Sequence, residues 1–583
     1  MTFDLKIVGG QVYDGSGGPP VTADVAVTDG RIAEVGSAKG RATRVIDASG
    51  AIVTPGFIDL HTHYDGQVSW DEELRPSVDY GVTTVILGNC GVGFAPVRRA
   101  DRDRLIRLME GVEDIPGTAL AEGITWDWES FPEYLDAIDR IPHTIDFGVM
   151  IGHDPVRVFA MGERAGFENT ATAEDIGRMH GLVADAMAAG AAGFSTGRTD
   201  VHRTADGDWT PSSEASRQEL TGIAAALRGR DRGVLQLVDD FDLERDGDNF
   251  AAEFGLVEAF ARAGARPCSI SLMQRDYAPD QWRRILAGAE RLAATGLDFR
   301  VQVAPRAIGV IIGLQCTFHP LVAQPSYLGI RDKPLAERVA TMREPAFRTR
   351  CLAESPVTLA GPGSSVPPIV DRIIGEIETI AFKLFRLGAE PDYEQGAEQS
   401  LGAEAKREGV PVLEKLYDVC LELDGRQLIY FPIYNYTGFS YDNVHTMLTH
   451  PQALLGLSDG GAHVGTICDA SFPAYLLSYW TRDRERDRIG LARAIRMLTA
   501  DPADYLGLTD RGRLAPGLRA DLNVIDYGNL ALEAPRMVQD LPAGGQRLLQ
   551  PARGVRATLV AGECVVEHDR VTTARPGRLV RFD

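Results

Sequence analysis

The sequence predicts an α/β protein, a (β/α)8 TIM barrel with a small β-sandwich domain built from both termini. Three observations carry this. Eight apolar strand candidates run through the middle of the chain, most of them separated by Ala/Leu/Arg/Glu-rich helical patterns. Short, turn-punctuated strands occupy both ends. At 583 residues the chain can bury a large core and is too long for one small domain.

Residues 1–54 supply the first part of the β-domain. Leu5-Lys6-Ile7-Val8 runs into Gly9-Gly10, Val25-Ala26-Val27 into Asp29-Gly30, and Arg31-Ile32-Ala33-Glu34-Val35 alternates with period two. Residues 511–583 have the same texture, with strands expected at 521–525, 555–560 and 564–566. The barrel is expected over 55–510. Its strands are read at 56–63, 83–90, 144–152, 191–197, 233–238, 267–273, 299–304 and 453–459. Helices are read at 173–189, 213–228, 253–263 and 280–295. Strands seven and eight lie far apart, so an insertion is expected near 307–452, covering the barrel mouth. Within it Gly361-Pro362-Gly363-Ser364-Ser365 reads as a loop and 410–424 as a helix.

Composition excludes several classes. Charged residues make up 24% and apolar residues 44%, ordinary for a globular protein. The formal charge of −22 argues against a nucleic-acid surface and against anionic membranes. No 18-residue apolar run exists, since Arg306 interrupts the longest, and the N-terminus reads as a strand and not as a signal peptide. Seven cysteines without CxxC spacing point to a reducing, cytoplasmic setting. A small-molecule substrate is the expected partner, and a homo-oligomer is compatible with the sequence.

In such barrels the chemistry sits at the C-terminal ends of the strands. His61 and His63 end strand one, spaced i, i+2, which puts both imidazoles on one face. Two such histidines can hold one metal ion. Cys90 ends strand two and reads as a small buried hydrophobe or as a ligand. His153 ends strand three, and it either meets substrate or bonds a loop. Gln236 lies in strand five, Gln274 ends strand six and Arg306 follows strand seven. Asp459, before Gly460-Gly461, can be a turn former, a metal ligand, or the base that takes a proton from activated water. Ser195 and Thr196 read as polar loop formers, and His143, His180, His202 and His568 as surface or packing residues.

These residues, in this order, resemble the amidohydrolase superfamily, and within it the N-acyl-D-amino-acid deacylases (D-aminoacylases). The resemblance covers nearly the whole chain. It rests on Pro55-Gly56-Phe57-Ile58-Asp59 before His61-Thr62-His63, and on Gly81-Val82-Thr83-Thr84 before Gly88-Asn89-Cys90-Gly91. It continues in Gly190–Gly197, Ser458-Asp459-Gly460, and Asp510–Gly517 running into Ala520-Asp521-Leu522. It implies a metal-bearing barrel that hydrolyses a C–N bond, with metal ligands His61, His63, Cys90 and Asp459, and Asp459 as base and acid. His153, Gln236, Gln274 and Arg306 are the expected substrate-binding residues. The deacylases carry metal-binding histidines after strands five and six. Here those strands hold Gln236 and Gln274, and the strand-four lysine of some relatives is absent. One tightly bound divalent ion, Zn2+, is therefore expected. An N-acyl-(D-)amino acid is the leading substrate. Two alternatives stand beside it: a cyclic-amide hydrolase or deaminase on the same site, and a catalytically retired barrel acting as a binding protein.

Overall fold

The fold of this computed structural model is described over residues 2–241, 248–361, 364, 366 and 368–582. It is a (β/α)8 barrel beside a small β-sandwich domain. The barrel strands are Phe57–Asp59, Val82–Leu87, Asp146–Gly152, Gly193–Arg198, Val234–Asp239, Cys268–Ser271, Phe299–Val303 and Ala453–Leu455. They are numbered one to eight below. All pair in parallel, each with its sequence neighbour. Strands one and eight close the cylinder at its mouth through a bridge between Thr62 and Gly460 and a bond from Asp459 N–H to the His61 carbonyl. Both of these strands end sooner than the apolar runs 56–63 and 453–459 imply. Leu457 and Asp459 adopt positive φ (62° and 49°), which ends the extended backbone of strand eight.

The helices follow their periodicity. Ala173–Ala188 starts at Thr172, whose hydroxyl and the Asp175 carboxylate form a reciprocal cap. The helix read at 213–228 begins at Arg217, because the Ser216 side chain accepts the Glu219 N–H and sets the start. Phe250–Gly264 and Gln281–Ala294 turn Phe254, Val257, Trp282 and Ile285 into the barrel core.

The β-domain takes strands from both ends of the chain. Residues 2–12, 21–28, 31–36, 41–47 and 52–55 join 522–525, 555–560, 563–567 and 570–571 in one branched nine-stranded sheet. Val524 pairs with Val53, and Leu5, Ile7, Val25, Val27 and Leu559 fill its own core. Arg511 locks this domain to the barrel floor through Asp146 (2.6 Å) and the Thr84 hydroxyl (3.0 Å). After residue 571 the chain returns to the barrel, where Phe582 packs in one cluster with Ile58, Met150 and Leu454.

Between strands seven and eight lies a body with its own apolar core, including Leu321, Tyr327, Met342, Leu416 and Tyr417. Its three-stranded antiparallel sheet joins Gly309–Ile312, Phe385–Arg386 and Ile429–Pro432. The helix Val412–Leu421 falls within the expected 410–424. Most of the loop read at Gly361–Ser365 lies outside the described residues. The body is stitched to the loop after strand eight by Ile311 N–H to the Thr466 carbonyl and Thr317 N–H to that of Gly465. Among the described residues no helix is long and apolar enough to cross a membrane, and none of the seven cysteines is in a disulfide.

Candidate active site

Four side chains from three strand ends converge at the mouth. His61 Nε2 lies 3.2 Å from Cys90 Sγ and 3.4 Å from Asp459 Oδ1. His63 Nε2 lies 3.7 Å from the same Asp459 oxygen. One donor atom from each of His61, His63 and Cys90 falls within 4.8 Å of the others. The local backbone makes this possible. Cys90 sits at φ +58° between Gly88 and Gly91, both also at positive φ, so the chain reverses and returns the thiol toward His61. Ser195 pins that turn, donating to the Gly88 carbonyl (2.5 Å) and accepting from Gly91 N–H (3.0 Å). Cys90 and Asp459 both hold left-handed backbone that costs of order 1 kcal/mol or more each, a strain found at functional sites.

The donor set fits a divalent ion. Tetrahedral zinc with Zn–N and Zn–S near 2.0–2.3 Å has ligand–ligand edges of about 3.3–3.6 Å, which the separations of His61 from Cys90 (3.2 Å) and from Asp459 (3.4 Å) approach. The outward nitrogens fit as well. His61 Nδ1 meets Gln302 Oε1 at 2.7 Å, and His63 Nδ1 faces Glu113 Oε1 at 3.3 Å. Holding Nδ1 frees Nε2 for a metal.

Burial lowers the His63 imidazole, but the Glu113 charge and the hydrogen bonds with Asp459 and Cys90 outweigh it and raise it well above the usual range, so a cation bound there would displace its Nε2 proton. Burial raises the Asp459 carboxyl, but the hydrogen bond with His63 and the charges of His61, His63 and His463 outweigh it and hold it well below the usual carboxylate range. Burial lowers the His61 imidazole to about 4. Burial also pushes the Cys90 thiol up to about 11, so this sulfur becomes a thiolate at neutral pH only beside a cation.

The other expected site residues are placed differently. Gln236 is buried and its Oε1 accepts the Cys90 N–H (2.8 Å), so it supports the turn of a candidate ligand while its Nε2 has no hydrogen-bond partner. Gln274 turns its amide toward the Pro279 carbonyl (3.3 Å). His153 does not face the quartet. Its Nδ1 meets the Thr196 hydroxyl (2.8 Å) and its Nε2 meets Glu219 (3.1 Å), so neither ring nitrogen is left for a substrate. Glu219 is also paired with Arg157.

Arg306 likewise departs from the substrate role. Its guanidinium is 1% exposed, pairs with Asp469 (2.9 Å), donates to the Cys468 carbonyl (3.1 Å) and stacks 4.1 Å over Tyr393. A cation enclosed by an acid and aromatic rings joins the insertion to the barrel and is not open to a carboxylate from solvent. Arg306→Met should therefore cost about 3–5 kcal/mol, because Asp469 would be left buried and unpaired. Urea unfolding checks this. A loss under about 1 kcal/mol would mean that the pair carries little, and the double variant with Asp469→Leu should recover most of the stability.

Sequence reasoning missed Glu113 and His463. Glu113 ends the helix Arg102–Glu113 in the excursion after strand two, with no spacing signal to mark it. His463 lies four residues past Asp459, and that proximity was the available signal. His202, read as surface or packing, also lies close enough for His463, His63, Asp459 and His61 to act on it, with burial lowering its imidazole to about 3.

The sequence was compared with known proteins. The model described as "Amidohydrolase family" matches residues 44–566. The N-acyl-D-glutamate deacylase of Alcaligenes xylosoxydans xylosoxydans is 28% identical, covering 100% of this chain and 97% of its own length. The N-acyl-D-aspartate deacylase of the same organism is 25% identical, covering 99% and 95%. Among solved structures, the N-acyl-D-glutamate deacylase of Bordetella bronchiseptica, complexed with zinc and a phosphonate mimic of the tetrahedral intermediate, superposes with a TM-score of 0.66. It is 25% identical, with 100% of both chains covered.

Proposed function

This chain belongs to the amidohydrolase family, and from that premise we propose that it uses one divalent metal ion, zinc, to hydrolyse the amide bond of an N-acyl-D-amino acid. Its reaction class is hydrolysis of carbon–nitrogen bonds other than peptide bonds. The observation that carries the reading is the gathering of one donor atom each from His61, His63 and Cys90 within 4.8 Å of one another, with Asp459 beside the two histidines at 3.4 and 3.7 Å. The two deacylase relatives, which match this chain over nearly its full length, support an acylated D-amino acid as substrate.

A divalent ion bound there supplies a Lewis acid and lowers the pKa of water toward 7. The residues do the rest. His61 and His63 would present Nε2 to the ion; the outward nitrogen of His61 is held by Gln302, and that of His63 faces Glu113 at 3.3 Å. Asp459, ionised and 17% exposed, is the member of the quartet that meets solvent. It takes a proton from the attacking water as the water oxygen bonds to the acyl carbon. It then delivers that proton to the leaving nitrogen as the C–N bond breaks, giving a carboxylate and a free amine. Gln236 is engaged by Cys90 and Gln274 by Pro279, which supports a single ion per chain.

The test is metal analysis of the purified protein, followed by turnover of N-acetyl amino acids of both hands. Equimolar zinc and release of a free D-amino acid are expected. Ammonia as the product would replace the reading with a deaminase, and ring-opened product from a cyclic amide with a cyclic-amide hydrolase. Zinc binding without turnover of any of these would leave a binding protein.

A further inference from the structure

The Glu113 side chain is 2% exposed and meets two imidazoles from different parts of the chain. Its Oε1 lies 3.3 Å from His63 Nδ1, and its Oε2 lies 3.5 Å from His463 Nε2. The Glu113 carbonyl also accepts the His463 N–H. The next residue extends the clamp. Asp114, turned back at φ +49°, accepts from the Thr466 hydroxyl (3.1 Å) and the Thr317 hydroxyl (3.3 Å). One helix end thus grips the end of strand one, the loop after strand eight and the start of the insertion.

We propose that Glu113 is a positioning residue of the metal centre: one carboxylate oxygen sets the His63 ring so that Nε2 faces Asp459, and the other holds His463 at the entrance. The proposal rests on the metal-dependent reading above and assigns a residue to it. Three points support it. Glu113 Oε1 is an ion-pair contact of His63 Nδ1 at 3.3 Å that stops short of a hydrogen bond, and among the described residues neither atom has another hydrogen-bond partner, so the carboxylate is placed to take up the Nδ1 proton contact on that side of the ring. His61 has its own acceptor in Gln302. The ion pairs of Glu113 among the described residues are with imidazoles alone. A buried carboxylate is costly unless it is paired or hydrogen-bonded. A cation on the far nitrogen of His63 polarises the Nδ1–H toward Glu113 and provides that pairing. His463 is 30% exposed against 2% for His63, so it is the ring of this pair that a substrate can reach.

The test measures zinc affinity by chelator competition, apart from turnover. Glu113→Met fills the space without an acceptor and should weaken zinc binding by about 10–100-fold. Glu113→Gln, whose amide oxygen can still accept from His63, should recover most of that loss. His463→Ala should raise KM and leave zinc affinity within about threefold of wild type. Nitrogen-15 spectra of the histidines in the wild-type holoenzyme give a readout that needs no variant: His63 should carry its proton on Nδ1. Zinc affinity of Glu113→Met equal to wild type, or a proton on His63 Nε2, would overturn the proposal. If the wild-type protein itself holds no zinc, it is the metal-dependent reading that fails.

Discussion

His61→Ala is expected to strip the protein of its metal and of measurable turnover while the barrel stays folded. His61 Nε2 lies 3.2 Å from Cys90 Sγ and 3.4 Å from Asp459 Oδ1, so its loss removes a donor that two others meet. Even an outer partner of a ligand is worth about 10–100-fold in metal affinity, so loss of the ligand itself should exceed 10²-fold. The structural cost is smaller. Gln302 would lose the imidazole that meets its Oε1, at about 1–3 kcal/mol for a buried group left unsatisfied. Its amide would still donate to the Ser269 hydroxyl (2.9 Å). Strand-one pairing and the Thr62–Gly460 closure do not use the imidazole. Elemental analysis, turnover and thermal unfolding on the same sample decide the matter. Full turnover after chelator treatment would remove the metal from the mechanism.

The barrel was legible because its strands are short apolar runs between amphipathic helices, and both patterns are local. The nearness of His61, His63, Cys90 and Asp459 was legible because a barrel delivers its strand ends to one mouth. What local pattern cannot give is the partner of a side chain. His153 stands at a strand end like the others, yet Thr196 and Glu219 occupy both of its nitrogens. Arg306 begins the insertion as expected, but Asp469, 163 residues on, answers its charge. Glu113 is the converse case. Nothing in Glu110-Gly111-Val112-Glu113-Asp114 sets it apart from other helix-end acids, and only the tertiary structure brings it to His63 and His463. Sequence gives the positions that a fold projects into its site, whereas charge compensation between distant segments appears only once the chain is closed.

Asp459→Asn should lower kcat by about 10²–10⁴, the usual worth of a positioned acid–base group. The substitution is informative because it changes so little else. Asn tolerates the left-handed backbone at φ +49° as readily as Asp, so the turn after strand eight is kept. The Asp459 N–H bond to the His61 carbonyl is a backbone contact and survives. The carboxamide oxygen can still face His61 and His63. What is lost is the negative charge that these histidines stabilise and the capacity to accept a proton. If Asp459 were only a turn former, the rate would fall little. If it were only a ligand, excess zinc would restore the rate. A proton carrier predicts a third outcome: kcat stays low at saturating zinc, with KM changed much less. Assays at graded zinc concentrations separate the three, and recovery to within about threefold of wild type would exclude Asp459 from the proton transfer.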